Sequence, residues 1–343
     1  LSKSFVEDAS SVWVYAWLVA DEAVQLREAL TNFEESVPEN FRELIGARTT
    51  HRQRQNQTVL VPVNEQRFED VTQELNSSQR EAVKVSLTSP LSLIQGPPGT
   101  GKTKVSATLA EYFARTKKLL VAGGPSHFAV DNLVRAFVKR GLGDKLVRVG
   151  NASDIAKDLH SYNPKQSLMD GGLSKKHRNL AKYAQKKLED AEIILGTMIT
   201  MMSSDASASL VDEAGQVTEH HTLCAINRNT LWLILVGDHK QLPPCVAEES
   251  GMEQGTGMSA LERMVRLDFP MTMLNKQYRM CPSIARFSSM LFYANGIENG
   301  VEEGQPPAGF FWARNNACYF LNVKDNEKKA PKSTSPYDDG EIA

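Results

Sequence analysis

The fold class predicted by this sequence is α/β, with a parallel sheet covered by helices on both faces. Three observations predict it. From Asn76 onward, short apolar runs alternate with helix-period segments. The runs are almost continuously apolar (LSLI at 91–94, LLVAG at 119–123, WLILVG at 232–237) instead of alternating with polar residues, the pattern of strands buried on both faces. The polar residues of most chemical interest fall at the carboxyl ends of those runs, where ligands collect in such sheets.

Taken in order, Ser77 and Ser78 are expected to cap a helix carrying Gln79, Ala82, Val83 and Leu87. Leu91–Ile94 is the next strand, and Lys102–Arg115 a helix. Leu119–Gly123 follows as strand, and Ser126 caps a helix running to about Arg140. Leu146–Val149 is a short strand and Ser174–Asp190 a basic helix, read as a solvated face, with nucleic-acid contact as a lesser alternative. Strands are expected at Ile193–Met198, Ser209–Asp212 and Trp232–Asp238, and Pro282 opens a later helix. Residues 1–75 read as an accessory region of uncertain fold. Within it Val12–Val19 is a strand or buried helix start, Asp21 a helix cap, 48–58 a polar loop, and Val59–Val63 strand-like.

Composition sets bounds. With 343 residues, 41% hydrophobic and 23% charged, the chain is long enough for one large core or two domains. A net charge of −2 means that any nucleic-acid surface is a local patch. The longest apolar run, Val12–Ala20, is too short to span a bilayer, and no signal sequence opens the chain, so no membrane partner is expected. Four scattered cysteines without a C-x-x-C pair fit neither a disulfide framework nor a zinc site and suit a reducing, intracellular setting. His220, His221 and Cys224 are read as a helix face rather than a metal site, since a fourth ligand is missing.

The chemistry centres on GPPGTGKT. Gly96, Pro97, Pro98, Gly99, Thr100, Gly101, Lys102 and Thr103 match the phosphate-binding loop G-x-x-x-x-G-K-[ST]. Its glycines permit the turn that aims backbone N–H groups at an anion, and the following helix points its positive end there. Lys102 is expected to reach the β- and γ-phosphates, and the Thr103 hydroxyl to ligate Mg²⁺. Downstream, Leu210-Val211-Asp212-Glu213 ends a strand in two carboxylates: Asp212 for Mg²⁺, Glu213 to orient and deprotonate water. Gln241, in GDHKQLPP, suits sensing of a γ-phosphate. Arg279, in QYRM, suits neutralising phosphoryl charge, and Tyr278 stacking on a base. Taken alone, Gln79 reads as a surface residue, though its amide matches the adenine edge.

Seven ordered stretches (LNSSQREAV, GPPGTGKT, PSHFAVDNL, ILGT, VDEAGQ, GDHKQLPP and LNKQYRMCPSIARF) together resemble superfamily 1 helicases. The resemblance is to the branch of the nonsense-mediated-decay, Sen-type and Okazaki-flap enzymes, and it covers roughly residues 75–293. It implies two RecA-like P-loop NTPase lobes, a first at 76–268 and the beginning of a second at 269–343, with ATP and Mg²⁺ in the cleft and single-stranded RNA or DNA across the top. By position, Gln79 and Tyr278 take adenine, Gln241 and Arg279 the γ-phosphate, and Pro125, Ser126 and Thr197 the nucleic-acid backbone. Arg279 is expected to reach in from the second lobe. The implied function is an ATP-dependent helicase or translocase in nucleus or cytoplasm, RNA slightly favoured. The alternative is an ATP-gated scaffold without motor activity. Two departures stand out. His127 occupies the place where the family usually has Asn. Only roughly 70 residues follow Phe269, where a full lobe takes about 150, so the second lobe is expected to be truncated and the chain poorly active alone. A first residue of Leu adds to the expectation of a fragment.

Overall fold

The computed structural model describes residues 62–116, 119–166, 178–201, 206–245 and 257–303, together with Thr31, Lys328–Lys329 and Pro336–Tyr337. It divides into two compact units, residues 1–279 and 280–343. The expectations for Val12–Val19, Asp21, the 48–58 loop, Val59–Val61 and Ser174–His177 lie outside the described residues.

In the first unit, helices α1 (Glu65–Thr72) and α2 (Ser77–Thr88) lead into β1 (Leu91–Gln95). Then come α3 (Lys102–Arg115), β2 (Leu120–Gly124), α4 (His127–Lys139) and β3 (Leu146–Arg148). α5 (Arg178–Asp190), β4 (Ile193–Thr197), β5 (Ala208–Val211), α6 (Glu219–Leu223), β6 (Trp232–Gly237), α7 (Ala260–Arg266) and β7 (Met271–Met273) complete it. Among the described residues seven strands form one sheet in the order β3-β4-β2-β5-β6-β1-β7, with every neighbouring pair parallel. This is a RecA-like α/β fold, as the apolar runs predict.

The period of two along the buried strands divides the core. Ile234 and Val236 face one layer, with Ile94, Leu120, Leu195 and the inner faces of α1 to α4. Leu233 and Leu235 face the other, with Leu93, Val121, Val211 and the α7 residues Leu261 and Met264. Trp232 ties the first layer together: its indole N–H donates to Leu87 O at 3.1 Å, and its ring meets Phe113 edge-on at 5.4 Å.

Two expectations are corrected here. The cap of α2 is Asn76, not Ser77 or Ser78: its side chain accepts from the Gln79 N–H while the Gln79 side chain accepts from the Asn76 N–H, a full capping box. The boundary expected at 268/269 falls before β7, which pairs with β1 as the seventh strand, because backbone groups along that edge of β1 need a parallel partner. At the other end α1 buries Phe68 and Val71 in the same core as α2 and α3, although the sequence leaves residues before 76 outside the lobe.

In the second unit, Pro282–Phe292 is a helix with proline in its first turn, as expected. Glu303 accepts from the backbone N–H of Ser283 at its start, and Lys328–Lys329 pairs antiparallel with Pro336–Tyr337.

One polar element holds the first unit's sheet edge to its helices. Arg148, at the end of β3, is fully buried and donates through Nε to Asp131 Oδ1 on α4 at 2.9 Å. Asp131 Oδ2 accepts from the Ala156 N–H at 2.9 Å. Removing one member of such a pair strands the other in low dielectric. Arg148→Met is therefore expected to cost about 3–5 kcal/mol in urea unfolding, and adding Asp131→Leu to recover part of it. Full additivity of the two losses would contradict a coupled pair.

Candidate nucleotide site at the strand ends

The carboxyl ends of β1, β5 and β6, three neighbours in the sheet, carry the loop, the acid pair and the glutamine turn. After Gln95 the chain turns, with Gly96 N–H donating to Gly237 O at 2.8 Å and so anchoring the loop to the end of β6. Thr100 Oγ1 donates to Pro97 O at 2.6 Å and closes the turn internally. Gly99 and Gly101 take φ of +78° and +88°, which a side chain would strain. At Gly99 there is also no room, because an added Cβ would lie 2.5 Å from Arg279 Cβ. Gly96 has no such dihedral; it is needed for space, since a Cβ there would collide with the Lys102 stem.

Lys102, in the first turn of α3, lies back along the loop. Its Nζ donates to Gly96 O at 3.1 Å and stands 3.5 Å from Glu213 Oε1. Asp212, just past β5, is buried, and its carboxylate accepts from Ser106 Oγ of α3 at 3.4 Å. Burial first, then the Glu213 charge, push the Asp212 carboxyl up to about 7, against the opposing pull of Lys102, the Glu213 N–H and Ser106. Glu213 itself sits at φ +50°, a left-handed conformation that non-glycine residues seldom adopt. That turn separates the two carboxyl groups: one goes inward beside α3, the other toward Lys102.

The glutamine turn is joined to the loop strand through Asp238. Gln95 Nε2 donates to Asp238 Oδ1 at 3.1 Å, Gln241 Nε2 donates to Oδ2 at 2.8 Å, and Lys240 N–H donates to Oδ1 at 3.1 Å. Gln241 is thereby fixed relative to Gly96. Neither Gln95 nor Asp238 receives a role from sequence; the one signal was Asp238's place inside GDHKQLPP.

Gln79 is buried, contrary to its bland reading as a surface residue. Its Nε2 donates to Thr100 O at 2.9 Å, so the capping-box glutamine doubles as a brace for the phosphate loop. Tyr278 N–H donates to Gly99 O at 2.9 Å, and its hydroxyl accepts from Asn76 Nδ2 at 3.0 Å. Arg279 follows, its N–H held by Gln277 Oε1 at 2.9 Å. Tyr278 and Arg279 are exposed and belong to the first unit, so Arg279 approaches the loop from the sheet-bearing unit and not from the second. Thr103 is half-buried in the first turn of α3. Lys102, Asp212 and Glu213 thus converge directly, Gln241 joins them through Asp238, and Gln79, Tyr278 and Arg279 flank the loop.

Pro125, Ser126 and Thr197 lie elsewhere on the same edge. Gly124, the last residue of β2, is in register with Thr197 of β4. Pro125 and Ser126 are exposed, and Ser126 Oγ caps α4 by accepting from the Ala129 N–H at 3.2 Å. His220 and His221 share the Thr218 hydroxyl, at 3.1 and 2.6 Å. Burial, then the neighbouring His221, lower His220 to about 4. Among the described residues no helix is long and apolar enough to cross a membrane.

Models of the AAA domain match residues 74–171 and 156–249, and a second AAA-domain model matches 256–343. The chain is 33% identical over 295 residues to regulator of nonsense transcripts 1 of Caenorhabditis elegans, covering 76% of this chain and 27% of that protein. It is 35% identical over 295 residues to the Drosophila melanogaster homologue, covering 76% and 25%. With the ATP-dependent helicase NAM7 of Saccharomyces cerevisiae it shares 32% over 270 residues, covering 70% and 28%. The chain belongs to the superfamily 1 helicases, in the branch of the regulators of nonsense transcripts. It spans about a quarter of the length of these relatives.

Asp212 and His220 pull stability in opposite directions. Asp212 is raised from 3.8 to about 7, so the folded protein holds a proton that the unfolded chain has released, and this contribution is lost as pH rises toward 7. His220 is lowered from 6.5 to about 4, so the unfolded chain binds the extra proton, and stability is lost as pH falls toward 4. Asp212→Asn removes the first effect alone. In metal-free buffer its stability is expected to gain on the wild type as pH rises from about 4 to about 7. Parallel denaturation curves across that range would remove Asp212 from the pH balance.

Proposed function

We propose that this chain is the nucleotide-driven part of an ATP-dependent nucleic-acid helicase or translocase, the single-stranded partner being RNA slightly more readily than DNA. The observation that carries the reading is the meeting of Lys102, Asp212 and Glu213, with Gln241 tied in through Asp238, at adjacent strand ends beside a phosphate loop. Relatives named regulator of nonsense transcripts and ATP-dependent helicase support both the ATP and the RNA preference. In this reading the first lobe runs from α1 to residue 279, the beginning of the second follows it, and the residues before α1 are accessory. The setting is intracellular, in nucleus or cytoplasm.

The loop from Gly96 to Thr103 cradles the phosphates, with Lys102 leaving Gly96 O and Glu213 to reach the β- and γ-oxygens. Gln79 and Tyr278 bound the adenine, and Arg279 and Gln241 face the γ-phosphate. The donor set fits a cation: Asp212 is a buried carboxyl whose hydrogen bond from Ser106 is long, and among the described residues Lys102 is the cation that offsets its charge. Thr103 and Asp212 would hold Mg²⁺, which when bound neutralises charge on the phosphates. Glu213, less buried and turned away from Asp212, orients water and takes its proton. Pro125, Ser126 and Thr197 grip the sugar-phosphate backbone, which makes binding salt-dependent and largely indifferent to sequence.

Two substitutions separate binding from turnover. Lys102→Ala is expected to abolish binding of a fluorescent ATP analogue, and unchanged affinity would refute the phosphate site. Glu213→Gln is expected to keep the analogue bound while hydrolysis, followed by phosphate release, falls about 10²–10⁴-fold. Hydrolysis at the wild-type rate would take Glu213 out of the reaction.

A further inference from the structure

We propose that Phe128 is a stacking platform for an unpaired nucleobase, so that this edge of the sheet grips bases as well as phosphates. The proposal rests on the reading that the β2–β4 edge binds single-stranded nucleic acid, and deepens it. Phe128 lies in the first turn of α4, two residues beyond Ser126, and is 74% exposed. Its helix has a well-filled inner face, with Val130, Leu133, Val134 and Phe137 all buried. Phe128 is off that face, and its ring contributes nothing to the core. Among the described residues the other exposed large apolar side chains of this unit, Leu231, Leu242, Leu267 and Tyr278, lie in other segments of the chain. An exposed ring standing alone on its helix suits one flat base better than a protein partner, which needs a contiguous patch.

Its mounting is stiff. Ser126 caps the turn through the Ala129 N–H. Beneath it, Arg148 brackets the same turn at two places, donating to Asp131 at 2.9 Å and lying 3.3 Å from His127 Nδ1 through Nη2. A guanidinium has only donors, so His127 Nδ1 accepts and its proton is on Nε2. The substituted histidine is therefore a fixed part of the turn. A ring on a pre-set backbone loses little freedom when a base stacks on it. The neighbouring exposed residues, Pro125 and Ser126, and Thr197 in register with Gly124, are those expected to meet the sugar-phosphate chain.

The test uses the whole chain and two fluorescein-labelled strands of equal length, oligouridylate and an abasic sugar-phosphate strand, with affinity read by anisotropy. Phe128→Ala is expected to weaken oligouridylate binding about tenfold and leave the abasic strand unchanged, and Phe128→Trp to restore it. Wild-type binding of oligouridylate with no loss in Phe128→Ala would overturn the stacking role alone. Equal loss on both strands would assign Phe128 to backbone contact or helix integrity and also overturn it. Failure of the wild type to bind either strand would overturn the underlying reading of this edge, and this proposal with it.

Discussion

Charge balance at the end of β5 is the constraint around which the first unit is arranged. Two successive carboxylates follow a strand buried on both faces, and one of them enters the interior beside α3. Among the described residues one cation, Lys102, acts on that buried acid, and it is shared with Glu213. Such an arrangement is costly unless a counter-charge arrives. The surroundings are set to receive one: a loop whose glycines at 99 and 101 take positive φ, a left-handed turn at Glu213 that parts the two acids, and a lysine that reaches Gly96 O and Glu213 from the first turn of α3.

The parallel sheet brings these groups together and gives the edge two halves. β1, β5 and β6 end at the phosphate loop, the acids and the glutamine turn, while β2 and β4 end at Pro125, Ser126 and Thr197. β2 and β5 are adjacent, and Asp212 N–H donates to Gly123 O at 2.8 Å. The acid proposed to meet the metal-bound nucleotide is thus hydrogen-bonded to the strand that leads to the proposed nucleic-acid contacts.

Much of the fold was legible because strand burial on both faces writes continuous apolar runs, and because the phosphate loop, the acid pair and GDHKQLPP each require particular residue types at strand ends. What was missed has physical reasons too. The α2 cap was misassigned because three consecutive cap-forming residues, Asn76, Ser77 and Ser78, compete in sequence; only the reciprocal bond with Gln79 decides for Asn76. Gln79 reads as exposed because its burial comes from a loop some twenty residues away. β7 carries too short an apolar run to be assigned to a sheet before its pairing with β1 is seen. Asp238, Gln95 and Arg148 act through partners on other strands and helices, which periodicity along one segment does not reveal.

The central claim, that a buried acid awaits a cation and a triphosphate beside Lys102, is tested most directly by proton release on ligand binding. Titration calorimetry of Mg²⁺–nucleotide into the protein in two buffers of different ionisation enthalpy, at about pH 6, lies below the value of about 7 held by Asp212. The wild type should release roughly one more proton per site than Asp212→Asn as the carboxyl ionises against the incoming charge. Equal release by the two proteins would mean that Asp212 does not meet the ligand, and would contradict the account.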